Sequence, residues 1–293
     1  MKKNVTAVIC ACSALALVTG CTTLPGKSTP EAISSYAPAP SQVDVPKPRK
    51  NQPSDLLLRD FFGASSHPLS RHEAARQFLT QEATDRWDSE KTVLILDRID
   101  IASDGEATSD HITYKVRGNI VGRLGVGGVY MPEYTAFQTT YELVKSGDEW
   151  RVDNLPNAVV MDRAEFTRSY ESRPIYFFNP EATSLVPDRR WVYNRQQSPG
   201  ASAISLLTAG PQPALVDGVK RLLPEGATAQ VSRSEQGGFS VEFSGLTDMS
   251  ADVRKLVAAQ VIWTLASADV RGPYELKADG SPLLSCLLYT SPS

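Results

Sequence analysis

The sequence is poor in cysteine and histidine, and this scarcity excludes several classes of protein. The cysteines are Cys10, Cys12, Cys21 and Cys286, and the histidines are His67, His72 and His111. Two cysteines lie in an apolar N-terminal run and one lies in the last eight residues, so no disulfide framework can be drawn. The histidines lack metal-ligand spacing. We therefore expect no disulfide-stabilised fold, no zinc site and no cofactor.

Recognisable catalytic motifs are also missing. No Gly-x-Ser-x-Gly elbow of a serine hydrolase is present. The glycine-rich segment 122–128 lacks the Lys-Ser or Lys-Thr pair of a phosphate-binding loop and is better interpreted as a flexible strand connection. Asp97 and Asp100 would point to opposite faces of a strand, which favours solvated charges over a pair of catalytic acids. The sequence therefore predicts a protein that is not an enzyme. A cell-wall hydrolase is the alternative class, which an activity test can exclude.

No excess of charge points to nucleic acid. The net charge of the 293 residues is −3, with 22% charged and 41% hydrophobic residues. This balance predicts no nucleic-acid partner, and the length suffices for about two domains with their own cores.

No apolar run is long enough for an ordinary membrane-spanning helix. The run from Val5 to Thr19 has 15 uncharged residues, preceded by Lys2 and Lys3. Val18-Thr19-Gly20-Cys21 fits the lipobox pattern. The sequence thus predicts a signal peptide at 1–20, lipid attachment to Cys21, and a position on the extracytoplasmic face of the cell membrane. An uncleaved membrane anchor is the alternative.

Composition divides the remaining chain into segments. Residues 21–54 are rich in proline and predict an extended tether, whose Lys47, Arg49 and Lys50 are either solvated linker charges or contacts to anionic headgroups. Residues 55–162 and 201–285 predict folded domains, and residues 163–200 predict a connecting segment rich in aromatic residues.

The periodicity of both folded segments predicts an α+β class. In 55–162, helical spacing precedes alternating strands, and Ser70 with Glu73 matches a capping box. In 201–285, residues 204–207 suggest a strand, Gly210-Pro211 a helix start, and Ser250 the cap of a longer helix. Tyr176, Phe177, Phe178, Trp191 and Tyr193 of the connecting segment are expected to pack within the chain, with a partner-binding surface as the alternative.

The last residues predict an unnatural end. The segment 286–293 resembles the translation of a sequencing adapter, and it interrupts the hairpin that Asp279-Gly280 begins. We expect 286–293 to be an artefact and the natural protein to continue beyond Ser285.

The order of several short motifs resembles one family, the actinobacterial LpqB lipoproteins that accompany the MtrAB two-component system. The stretches that carry the resemblance are 18–21, 72–80, 149–156, 175–180 and 185–191, and the segments 206–211, 222–226 and 258–265 resemble a GerMN domain.

The resemblance implies an NTF2-like first domain, formed by helices against a curved antiparallel sheet, then the GerMN domain, and a C-terminal β-propeller that this chain lacks. It also implies a lipoprotein that modulates the sensor histidine kinase MtrB through the kinase's extracytoplasmic domain, in cell-wall homeostasis and division. Only Cys21 carries over as a functional residue. An envelope scaffold that binds peptidoglycan is the alternative function.

Overall fold

The computed structural model describes residues 45–196, 198–234, 238–246 and 249–284, all within one compact unit, Val43–Ser293. The predicted signal peptide 1–20, Cys21, most of the tether and the segment 286–293 lie outside the described residues.

Three short helices open the described chain: α1 (Ser54–Ser65), α2 (Leu69–Arg76) and α3 (Gln81–Arg86). Helix α1 begins after Pro53 and buries one side, which includes Leu57, Leu58 and Phe61. This spacing places the apolar side chains on a single stripe of the helix, which packs on the sheet that follows.

A curved sheet of six strands packs against these helices. The strands are β1 (Val93–Leu96), β2 (Asp100–Ser103), β3 (His111–Leu124), β4 (Tyr130–Ser146), β5 (Glu149–Asn154) and β6 (Val159–Asp162). Their order is β5-β4-β3-β1-β6, with β2 paired to β3. All pairs are antiparallel except β1 with β6, and three irregularities in register interrupt the long ladders. Such bulges bend strands, which accounts for the curvature.

The N-terminal core lies between the helices and this sheet. Phe61 is at its centre, and its ring contacts those of Phe62, Phe78, Trp87 and Tyr141 at centroid distances of 5.8 to 6.4 Å. Tyr141 is 1% exposed, and burial raises the pKa of its hydroxyl well above the usual range. Aromatic rings therefore fill the space that the curved sheet encloses.

The segment predicted as a connection is a helix followed by a long hairpin. Helix α4 (Arg163–Ser169) is capped by Asp162, whose carboxylate accepts from the Ala164 amide at 2.7 Å. Strands β7 (Tyr170–Phe178) and β8 (Leu185–Tyr193) then pair antiparallel along their whole length.

The C-terminal part has two longer helices, α5 (Pro199–Ala209) and α6 (Ala251–Ser267), and a sheet of four strands. The strands are β9 (Thr228–Arg233), β10 (Phe239–Ser244), β11 (Tyr274–Ala278) and β12 (Ser281–Pro282), in the order β12-β11-β10-β9. Strands β10 and β11 are parallel, with α6 in the crossover between them. The α+β class predicted from the sequence is confirmed.

Three local predictions were wrong. Residues 204–207 lie in α5, which Ser198 caps, and not in a strand. The helix expected after Gly210-Pro211 is a short 3-10 turn, Pro213–Gly218. Ser70 does not cap a helix, because Ser70, Arg71 and His72 all adopt left-handed backbone conformations with φ between 52° and 58°.

Candidate functional site

The hairpin β7–β8 is shared between two hydrophobic cores. Tyr170 and Tyr193, at its base, belong to the N-terminal core, whereas Ile175 and Phe177 belong to the C-terminal core. Alternation along the strands places Ile175 and Phe177 on one face and Tyr193 on the other. The hairpin therefore forms the junction between the two halves of the compact unit.

A buried ion pair lies on strand β8 at this junction. Asp188 is fully buried and Arg190 is 3% exposed. The guanidinium donates from Nε to Asp188 Oδ1 at 2.9 Å and from Nη2 to Asp188 Oδ2 at 2.7 Å. Residues two apart on a strand share a face, so this sequence spacing permits the two-point contact.

The pair is tied to both halves of the chain by backbone groups. Arg190 also donates to the carbonyl of Gly127 at 2.9 Å and to the carbonyl of Gly210 at 3.0 Å. Asp188 accepts from the Gln212 amide at 2.9 Å. Gly127 lies between β3 and β4, whereas Gly210 ends α5, so one guanidinium links the N-terminal sheet, the hairpin and the C-terminal helices.

The glycine-rich segment 122–128 allows its backbone to lie close to strand β8. A Cβ on Gly128 would lie 2.3 Å from the carbonyl oxygen of Trp191, and the residue has φ +73°. The close backbone contact leaves no room for a Cβ, and the left-handed conformation favours glycine. Residues 122–124 form the end of β3, and residues 125–129 connect it to β4, where Gly128 packs closely against β8.

Aromatic rings cover the base of the hairpin. Phe166 contacts Trp191 at 4.7 Å and Tyr170 at 5.2 Å between ring centroids, and Tyr130 stacks on Phe166 at 5.9 Å. The pKa of Tyr170 is raised above its usual range, mainly by burial and to a smaller extent by the nearby Tyr193. This cluster extends the N-terminal core onto the hairpin.

The prediction that the aromatic segment packs within the chain is confirmed for Phe177, Phe178 and Tyr193, which are at most 7% exposed, and Trp191 packs against the N-terminal core. Tyr176 remains half-buried. It contacts the exposed Trp263 of α6 with 5.9 Å between the ring centroids.

Two of the three histidines, His67 and His72, are buried and hydrogen-bonded. His67 Nδ1 lies 2.7 Å from the Tyr193 hydroxyl. Its pKa is lowered mainly by burial, and to a smaller extent by the positive charges of Arg195 and Arg168. His72 Nδ1 donates to the Ser65 carbonyl at 2.9 Å, and burial is the main cause that lowers its pKa to about 4. Both histidines are therefore held in the neutral form at neutral pH.

The left-handed turn at Ser70–His72 is fixed by neighbouring side chains. The ring of His72 packs on Trp87 at 5.8 Å, and the Arg76 guanidinium lies 5.3 Å from the centre of the same Trp87 ring. Arg76 also donates to the carbonyls of Arg71 and Thr84. These contacts offset the cost of left-handed backbone in residues that have a Cβ.

The described residues contain no group of three or more His, Cys, Asp or Glu that could hold a metal ion. His111 is half-buried and lies 3.8 Å from Glu142. Asp97 accepts from the side chain and the backbone of Asn119, which lowers its pKa to about 2. Within the same ranges, none of the helices has the length and apolar character needed to cross a bilayer.

Two family models match the two halves of the chain. Residues 47–167 match the model described as Lipoprotein LpqB, N-terminal domain, and residues 174–284 match the model described as Sporulation and spore germination. The gap between the matches falls at the start of the hairpin.

Curated relatives match over most of the chain. Proteins named Lipoprotein LpqB are 57% identical over 269 residues in Corynebacterium jeikeium, 41% over 289 residues in Rhodococcus opacus and 36% over 283 residues in Mycobacterium tuberculosis. These matches cover 92%, 94% and 92% of this chain and 46%, 48% and 48% of the relatives. The chain therefore spans about half the length of the curated relatives it matches.

Among solved structures, the first GerMN domain of the sporulation protein GerM from Bacillus subtilis is 19% identical, with a TM-score of 0.33, and the match covers 42% of this chain and 93% of that one. The tandem GerMN domains of the same protein give a TM-score of 0.31 at 18% identity, covering 43% of this chain and 45% of that one.

These features define the class as an α+β protein with two hydrophobic cores joined by a shared hairpin. The order of the two family models and the similarity to the named relatives go further: the chain belongs to the LpqB family of lipoproteins.

Proposed function

We propose that this chain is lipid-anchored through Cys21 on the extracytoplasmic face of the cell membrane, where it modulates a two-component sensor kinase of the MtrB kind without catalysing a reaction. The observation that carries the proposal is the junction of Asp188 and Arg190, which fixes two cores into one unit. A fixed unit presents a constant surface to a protein partner. His67 and His72 serve packing, and the relatives' shared name supports the lipoprotein character.

The anchor is tested by substitution of its thiol. Cys21→Ser should abolish incorporation of labelled palmitate and release the chain from the membrane fraction, since acyl chains supply the membrane affinity. Cys12→Ser, in the predicted signal peptide, is the matched control and should be labelled like the wild type. Undiminished labelling of the Cys21→Ser variant would contradict the proposal.

The kinase partner is tested by reconstitution. The full-length lipoprotein, added to vesicles that contain the intact sensor kinase, should change the rate of kinase autophosphorylation by at least about fivefold, as allosteric couplings of about 1 kcal/mol or more do. No binding and no change in rate would refute the proposed partner. Sedimentation with purified peptidoglycan in the absence of a kinase effect would favour the scaffold function instead, and a clear band in a cell-wall zymogram would contradict the absence of catalysis.

A further inference from the structure

Helix α6 has an uncharged side that faces solvent. No charged residue occurs between Lys255 and Asp269, although a surface helix normally carries a polar face. Trp263 is 45% exposed, and the nearby Ala259, Ile262 and Ala266 are half-buried. An apolar character on all sides is typical of a helix that is buried, so this side fits a surface that is covered in an assembly.

The exposed face of the hairpin continues this surface. Tyr176 contacts the Trp263 ring edge to face, and its amide donates to the Thr264 hydroxyl at 3.1 Å, which fixes β7 against α6. Pro187 is the cross-strand partner of Tyr176, and Arg189 follows two residues later on the same face. We refer to Trp263, Tyr176, Pro187 and Arg189 as the α6 patch; Pro187 and Arg189 are exposed.

Arg189 differs from the other arginines of the hairpin. Arg190 is buried with Asp188, and Arg173 pairs with Glu171 and Asp269. Arg189 has no ion pair among the described residues, and its cross-strand partner is Pro174. Its guanidinium is thus free to bind a carboxylate from another molecule with two hydrogen bonds.

We infer that the α6 patch is a docking site for a protein whose surface offers an apolar pocket for Trp263 and, beside it, an aspartate or glutamate for Arg189. Trp, Tyr and Arg are the residue types that dominate the binding energy at protein interfaces, and the centre of such interfaces is poor in charge. This docking site deepens the proposed function. It rests on that function in one respect, namely that the partner is a protein.

Photocrosslinking in living cells tests the site with the complete lipoprotein. Benzoylphenylalanine is placed at Trp263 or, as a matched control, at Tyr134, an aromatic residue of β4 that is 79% exposed. We expect a single protein adduct from position 263 and none from position 134. In the partner protein, an aspartate or glutamate should lie next to the crosslinked peptide.

Charge reversal then tests Arg189. Arg189→Glu should reduce the adduct at position 263 at least about tenfold, because it opposes like charges at the interface. Arg117→Glu, at an exposed arginine of β3, should leave the adduct unchanged. An unchanged melting temperature shows that each variant is folded.

The outcomes separate this site from the proposed kinase partner. An adduct with the properties above, but on a protein that is not a sensor kinase, would support the docking site and show that it serves a partner other than the kinase. The docking site is refuted if position 263 gives no adduct, an adduct equal to that of position 134, or adducts only with cell-wall glycan or a second copy of this chain. It is refuted equally if Arg189→Glu leaves the adduct undiminished.

Discussion

Replacement of Arg190 by methionine should separate the two halves of the molecule energetically. Methionine keeps the apolar volume but leaves the carboxylate of Asp188 buried without its partner. The carbonyls of Gly127 and Gly210 lose their donor as well. Breaking a buried pair from one side costs about 3 to 5 kcal/mol. In urea this corresponds to a fall of about 1 to 2 M in the midpoint of unfolding.

The neighbouring residue provides the control for this experiment. Arg189→Met removes the same type of side chain from the same strand, but at an exposed position with no ion pair in the described part. It should change the free energy of unfolding by less than about 0.5 kcal/mol. We would measure the urea unfolding of both variants, each expressed from Thr22, with circular dichroism and tryptophan fluorescence as the two probes.

The two probes also report on coupling. If Arg190 joins the cores, the wild type should unfold in one transition, and Arg190→Met should give two transitions that the probes weight differently. A variant that unfolds in one transition within 1 kcal/mol of the wild type would refute the assignment of the Asp188–Arg190 pair as the junction.

Two further perturbations test the glycine contact and the buried histidine. Gly128→Ala should lower the free energy of unfolding, measured by chemical denaturation, by about 2 to 4 kcal/mol, because its Cβ would meet the Trp191 carbonyl. The control Gly147→Ala has φ +65° and nothing within 4 Å of the added Cβ, so it should cost only about 1 kcal/mol. Equal costs would contradict the role of close packing. The imidazole of His72 accepts a proton near pH 6.5 when unfolded but only near pH 4 when folded, so stability should be complete above pH 6.5 and fall by up to about 3 kcal/mol as the pH drops to 4. Thermal unfolding from pH 7 to 4 should show a shallower loss for His72→Gln than for the wild type or for the control His111→Gln, and parallel curves for all three would rule the mechanism out.

The sequence predicted the elements whose signal is local. Ser250 caps α6 as expected, since its hydroxyl accepts from the Val253 amide, and the alternating residues of β3 and β4 do form strands. Residues 204–207, three of which are apolar, were misassigned because so short a run fits a strand or a buried helix equally well. Only tertiary packing places them in α5.

The junction was missed for a different reason. Asp188 and Arg190 are charged, and charged side chains are almost always exposed, so nothing marked them as a buried pair. The available signal was their spacing of two residues inside a strand whose other residues, apart from Arg189, are apolar or aromatic. Ser70 and Glu73 fit a capping box in sequence, but the packing of His72 and Arg76 around Trp87 favours a left-handed turn instead.

The shared hairpin limits how this protein can be divided. The two family models end and begin at residues 167 and 174, so a truncation designed from them would cut through α4 and β7. An N-terminal fragment would expose Phe166 and Tyr130 where Trp191 of the hairpin now covers them, and a C-terminal fragment would begin in the middle of a paired strand. Binding that disappears on such a deletion would report a damaged fold rather than a lost contact. Surface point substitutions, and not domain deletions, are the appropriate way to map the partners of this lipoprotein.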